Sequence, residues 1–322
     1  MSSAAVDAVV SAGGAELPGL LAAVEERMRD LARGHGQALA RHAGETLAAG
    51  GKRLRPLLVC LAAGEAALDS PLLVPAAVAV ELIHAATLVH DDVLDRADLR
   101  RGRPTVVALA GRRAATATGD LLFSRAFAEL AAAGSAPAVA TLSRACSELA
   151  RGELLQREDA YRAEVGVERY LERCRLKTGV LFAAACELGA LAAAEDPAAL
   201  GGFGVEIGVA FQILDDVLDI SGPPERTGKP RGADLLDGTV TLPLILAFEA
   251  DPDLRRIDLH EIRTAEAAAA VCERIAAAGA LEQARERALA MVSAGKQRLE
   301  GLDSRRRYAL ELVADGVVER YA

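Results

Sequence analysis

The sequence predicts an all-α fold, a single-domain bundle of about ten main helices around one core. Three observations predict it. Ala and Leu dominate, and aromatic residues make up only 3% of the 322 residues, a balance that favours helix because Ala, Leu, Arg and Glu are strong helix formers and β-branched runs are scarce. Apolar residues recur at helical spacing in almost every segment, and no alternating run with a hairpin turn stands out. Gly and Pro cut the pattern into pieces of about 12 to 25 residues, too long for strands. The apolar fraction is 52%, enough for a sizeable core in one large domain.

Residues 1–15 lack a clear pattern and are expected to be mobile, which leaves 16–322 as the folded domain. Helical periodicity begins near Leu17 and is broken at Gly50-Gly51, Ser70-Pro71, Gly102 to Pro104, Gly134 to Pro137, Asp196-Pro197, Gly222 to Pro224 and Asp251-Pro252. The most hydrophobic window, Pro71 to Val89, is interrupted by Glu81 and His84 and ends directly in carboxylates. That pattern reads as a buried core helix, and no stable membrane insertion is expected. The N-terminus lacks the basic start and apolar stretch of a signal peptide. Five cysteines stand at 60, 146, 174, 186 and 272 with no CxxC spacing, as expected of buried thiols in a reducing cytoplasm. A formal net charge of −9 argues against nucleic acid as a partner.

Two segments resemble each other: Ala86 to Asp95, reading ATLVHDDVLD, and Phe211 to Asp219, reading FQILDDVLD. In a helix, residues four apart share a face, so Asp91 and Asp95 point one way with Asp92 about 100° around. Asp215, Asp216 and Asp219 repeat the arrangement. Three carboxylates at the end of an apolar run repel each other and resist desolvation. A solvated acidic helix end could explain one such cluster, but two nearly identical ones call for a compensating cation. Carboxylate oxygens suit a hard ion such as Mg²⁺, which keeps waters and is shared with substrate phosphates.

Basic residues occur in compact groups that could hold phosphate oxygens. Gly50-Gly51-Lys52-Arg53-Leu54-Arg55-Pro56 sets Lys52 and Arg55 on one helical face. Arg96, Arg100, Arg101 and Arg103 follow the first acidic cluster, Lys177-Thr178 interrupts an apolar helix, and Lys229 follows the second cluster. Each alone reads as a solvated turn; together they look like diphosphate contacts. His84 sits on an apolar face ahead of the aspartates, and His90 beside Asp91 reads as a residue that supports the aspartates from behind or as a packing residue.

At these residues the chain resembles a trans-type polyprenyl diphosphate synthase of the isoprenoid synthase superfamily. GGKRLRP at 50–56, IHAATLVHDDVLD at 83–95, LRRGRPT at 99–105, LKTG at 176–179, FQILDDVLD at 211–219, GKPRGADL at 228–235 and TLP at 241–243 appear in the family's order. The tails at 279–292 and 317–322 are similar too. The resemblance implies a deep central cavity with the two clusters facing across its mouth. It implies three Mg²⁺ ions held by Asp91, Asp92, Asp95 and Asp215, and less directly by Asp216 and Asp219, on an allylic diphosphate. Arg100, Lys177, Thr178, Gln212 and Lys229 would contact that diphosphate; Lys52, Arg55, His84 and Arg101 would bind isopentenyl diphosphate. A homodimer is implied as well. Thr239 departs from the pattern, since many members carry Lys there.

The implied reaction is a head-to-tail condensation: the allylic C–O bond ionises, isopentenyl diphosphate attacks, and the departing diphosphate takes the proton. The tail should run back along the first acidic helix past Thr87, Ala86 and Ile83. Ala85 and Ala86 leave that path open, and with Gly152 to Gln156 (GELLQ) they resemble long-chain synthases, so a product beyond C20 is expected. The alternatives are geranylgeranyl diphosphate as product or a class I terpene cyclase. A non-catalytic partner subunit is disfavoured because both acidic clusters are intact.

Overall fold

The computed structural model describes residues 3–33, 36–48, 51–100, 102–222 and 230–319. In chain order its helices are α1 (Ser3–Ala12), α2 (Leu17–Ala32), α3 (Gln37–Ala48), α4 (Leu54–Ala63) and α5 (Leu73–Leu94). Then come α6 (Val106–Ala132), α7 (Ala136–Asp159), α8 (Val167–Cys174), α9 (Val180–Ala192) and α10 (Ala198–Ser221). The last are α11 (Ala233–Leu236), α12 (Leu242–Ala250), α13 (Ala265–Ala277), α14 (Ala280–Gln297) and α15 (Ser304–Glu319). The fold is all-α. Among the described residues, β structure is confined to a ribbon pairing β1 (Leu99–Arg100) with β2 (Arg103–Pro104).

α5 is the axis of the bundle. It packs against α2, α4, α6 and α9, and fourteen of its 22 residues are buried, so an all-round apolar helix is what this position requires. By length and composition α5 and α10 could each cross a membrane; within the bundle, 67% and 56% of their apolar windows are buried. Helix starts follow capping chemistry. Thr105 and Ser135 accept from the backbone N–H of Ala108 and Ala138 to open α6 and α7, each worth about 1 kcal/mol. Gly111, at φ 79°, bends α6 near its start.

Three elements had no signal in the sequence pattern. α1 forms where residues 1–15 offered no periodicity, and it docks on α15 with Val9 buried. The ribbon occupies the basic stretch after the first acidic cluster, with Gly102 at φ 74° in its turn. A π-helical turn, Arg175–Gly179, joins α8 to α9. The five cysteines are free, four buried and Cys146 partly so.

Candidate active site

α5 ends in the first acidic cluster. Asp91 and Asp92 occupy its last turn, and Asp95 closes it, donating its backbone N–H to the Asp91 carbonyl at 2.8 Å. Arg96, at φ 53°, turns the chain away. The helix dipole is negative at this end, so it opposes carboxylates here. Burial opposes them too. It pushes the Asp91 carboxyl up to about 6, with Glu153 and Asp95 adding to the rise and Lys177 and Arg100 resisting it. Asp92 and Asp95 are likewise raised, chiefly by burial. Asp92 accepts from Arg100 Nε at 2.7 Å, which ties the ribbon to the helix end.

The second cluster lies in the last turns of α10, and the helix sorts its residues by face. Gly204, Gly208, Gln212 and Asp216 recur every four residues. A Cβ at Gly204 would lie 2.6 Å from the Phe182 carbonyl oxygen, and one at Gly208 would lie 2.7 Å from Gly179 Cα. Only glycine lets α10 approach α9 and the π-turn this closely. Further along the face, Gln212 Oε1 accepts from Thr178 Oγ1 at 2.8 Å, and its Nε2 donates to Asp216 Oδ1 at 2.8 Å. Tyr170 Oη, on α8, donates to Asp216 Oδ2 at 2.7 Å. Asp216 therefore has a donor on each carboxylate oxygen inside the bundle, and its carboxyl is raised by burial and by repulsion from Asp234 and Asp215. Asp219 Oδ2 accepts from the Asp234 backbone N–H at 3.1 Å, at the start of α11. Phe211 and Asp215 share a different face, which opens onto a cavity.

That cavity has a volume of about 880 Å³. Its wall brings together Lys52, Arg55, His84 and Arg100 with Asp92 and Asp215, so the two acidic helix ends meet at one space. Arg55 lies over the Phe182 ring, 4.9 Å from its centroid, which fixes the guanidinium at the wall. Arg53, between Lys52 and Arg55, also borders the cavity, but its guanidinium is spent on structure: it pairs with Glu25, with Glu81 at 3.0 Å and with the Leu47 carbonyl at 2.7 Å. Asp91 and Asp95 are not among the lining residues; they act electrostatically on Lys177, Glu153 and Arg100. Arg101 and Lys229 fall outside the described residues.

The wall of α5 along the cavity is Glu81, His84, Ala85, Leu88, Val89 and Asp92. Ile83 and Ala86 are fully buried in the core and do not line it. Thr87 is half-buried and donates to the His84 carbonyl at 2.8 Å. Helical phase accounts for the difference, since residues 83 and 86 sit on the face turned into the bundle. His90 packs on α6, stacked on Phe123 at 5.7 Å between centroids. Thr239 lies in a pinned loop: its N–H donates to the Asp234 carbonyl, and Tyr161 N–H donates to the Gly238 carbonyl at 2.7 Å. Sequence reasoning missed Glu153 and Tyr170 as site neighbours. A buried Tyr seven residues before Lys177, and a Glu beside Gly152, carry no pattern that marks them until the helices are packed.

Among the described residues, no three His, Cys, Asp or Glu side chains converge on one metal-sized point. The carboxylates nonetheless fit a hard divalent cation. They are oxygen donors at the negative ends of two helices, Asp92, Asp216 and Asp219 are buried, and burial raises Asp91, Asp92, Asp95 and Asp216. Such a set suits an ion whose remaining ligands are waters and phosphate oxygens.

Comparison with known proteins agrees with this geometry. The family described as Polyprenyl synthetase matches residues 37–278. A heptaprenyl diphosphate synthase component 2 from Geobacillus stearothermophilus is 48% identical over 231 residues, covering 71% of this chain and 72% of its own. A geranylgeranyl diphosphate synthase from Methanosarcina mazei is 40% identical over 281 residues, covering 84% and 86%. The crystal structure of a polyprenyl synthase from Caulobacter crescentus, complexed with calcium and isoprenyl diphosphate, superposes with a TM-score of 0.89 at 36% identity over 98% of both chains. With a family match over most of its length, the fold of a solved member and paired acidic helix ends at one cavity, the chain belongs to the polyprenyl synthetase family and is a trans-type prenyl diphosphate synthase.

Proposed function

We propose that the chain joins an allylic diphosphate head-to-tail to isopentenyl diphosphate, with Mg²⁺ held between Asp91, Asp92 and Asp95 of α5 and Asp215 of α10, and with Asp216 and Asp219 supporting from behind. The observation that carries this is the meeting of both acidic helix ends and six basic side chains at one cavity. The calcium in the Caulobacter relative supports a divalent cation here; the resemblance supplies the number three. When bound, Mg²⁺ neutralises the charge that develops on the departing diphosphate.

The chain's own residues divide the remaining work. Lys177, Thr178 and Gln212 form one side of the allylic diphosphate site, joined through the Thr178–Gln212 hydrogen bond. Arg100 and Lys229 complete it. Lys52, Arg55, His84 and Arg101 receive isopentenyl diphosphate. Phe182, Phe211, Leu88 and Val89 supply apolar wall, which keeps water from the allylic carbocation. No side-chain base is assigned, because the leaving diphosphate can take the proton.

Product length beyond C20 is supported by Ala85, a small side chain at the wall, and by the heptaprenyl relative. Geranylgeranyl diphosphate is the second reading, favoured by the Methanosarcina relative. Assembly as a homodimer is proposed from the resemblance. A relative named as component 2 makes a two-chain assembly the alternative.

The deciding experiment is incubation of the purified chain alone with labelled isopentenyl diphosphate, Mg²⁺ and a series of allylic primers, with products resolved by chromatography. Products longer than C20 are expected; an end point at C20 selects the second reading, and C15 refutes the open path. Asp91→Ala and Asp215→Ala should each lower kcat by about 10²-fold or more. Near-normal turnover of either at saturating Mg²⁺ overturns the metal assignment.

A further inference from the structure

Lys177 Nζ lies 2.8 Å from Glu153 Oε2. Arg157, one turn further along α7, reaches the other carboxylate oxygen, Oε1, at 3.1 Å. Two features build this contact into the fold. A Cβ at Gly152 would lie 2.9 Å from Lys177 N and 2.9 Å from Leu176 Cβ, so α7 and the π-turn touch backbone to backbone beside the pair. The π-turn itself carries both Lys177 and Thr178, and Thr178 is held by Gln212.

Glu153 and Lys177 also act on Asp91 and Asp95, with opposite sign. An ammonium in such company pairs with whichever carboxylate is placed best. Were Glu153 absent, the carboxylates remaining within electrostatic reach of Lys177 would include Asp91 and Asp95. A lysine paired with them would compete with a divalent cation for the same oxygens.

We infer that Glu153 is a positioning residue which holds Lys177 off the carboxylates of α5, keeping them available to divalent cations until a diphosphate takes the ammonium over. The inference rests on the metal reading above. The exchange is open to an incoming anion, because the side chains of Lys177 and Glu153 are 30% and 22% exposed. Arg157 then still partners Glu153, so the carboxylate is not stranded when Lys177 leaves.

The test is a Mn²⁺ titration of the substrate-free protein followed by electron paramagnetic resonance, beside the Mg²⁺ dependence of turnover. Glu153→Gln is expected to weaken Mn²⁺ binding about tenfold and to raise the Mg²⁺ concentration for half-maximal rate, with kcat at saturating Mg²⁺ within about threefold of wild type. In a Lys177→Gln background the same substitution should change Mn²⁺ affinity by less than about threefold, since its effect runs through the lysine. Glu153→Asp keeps the charge and should stay within about threefold of wild type. Wild-type Mn²⁺ affinity in Glu153→Gln overturns the inference, as does a tenfold loss in both backgrounds, which would make Glu153 a ligand itself. Those results leave the metal reading standing. Wild-type protein that binds no Mn²⁺, or binding indifferent to Asp91→Ala, removes the metal reading and this inference together.

Discussion

Asp91 is held where two effects oppose its charge, the carboxyl end of a helix and a largely buried setting, and its carboxyl is pushed up to about 6. The sign of the pH dependence follows. A carboxyl whose folded value is raised adds stability below its unfolded value, near 3.8, and that contribution is lost as pH rises through about 6. The metal-free protein should therefore lose thermal stability across that window, and Asp91→Asn should flatten the loss in a Tm-against-pH series. Divalent cation binding, which needs the ionised form, should tighten over the same window. Tyr170 makes a separate residue-scale case. Tyr170→Phe leaves Asp216 Oδ2 buried without its 2.7 Å donor, a cost of about 1–3 kcal/mol that thermal or urea unfolding would read. The six aspartates were legible in the sequence because carboxylates at the end of an apolar helical run demand an explanation wherever that run is packed. Tyr170 and Glu153 were not, because their roles arise from contacts across 46 and 24 residues of chain.

At the scale of elements, α10 works as a ruler. Its four-residue repeat of Gly204, Gly208, Gln212 and Asp216 runs along α9, the π-turn and α8, so close helix contact at one end sets the polar contacts at the other. Gly208→Ala places a methyl 2.7 Å from Gly179 Cα. The backbone must yield, at a cost of about 1–3 kcal/mol, and the π-turn carrying Lys177 and Thr178 must move. A fall in kcat larger than the fall in Tm suggests is the expected outcome, checked by steady-state kinetics beside circular dichroism. Ala86 illustrates the limit of reading one helix alone. Spacing from Asp91 placed it on the tail's path, but the packing of α5 turns it fully into the core. Ala86→Tyr should therefore lower Tm through overpacking, whatever it does to product length. The helical pieces themselves were legible from Gly and Pro breaks. The ribbon and the π-turn were not, because neither a two-residue strand nor one widened turn leaves a period in sequence.

Across the whole molecule, the cavity draws its wall from residues 45 to 317, so no local segment contains the site. A family resemblance could announce it, and residue spacing could supply the helices, but the meeting of Asp92 with Asp215 depends on the crossing of α5, α9 and α10. Ions and diphosphate bridging α5 and α10 should stabilise the folded state by mass action. At a ligand concentration about 100 times Kd the gain is about 2.7 kcal/mol. Mg²⁺ with inorganic diphosphate is thus expected to raise Tm by several degrees, and Asp215→Ala should abolish most of that rise, as differential scanning calorimetry would show.

Val317, near the end of α15, is part of the cavity wall, whereas α1, which packs on α15, contributes no lining residue. The last helix of the chain therefore contributes to the substrate space, and Val317→Ala, which removes buried wall, should change kinetic constants as well as lower Tm.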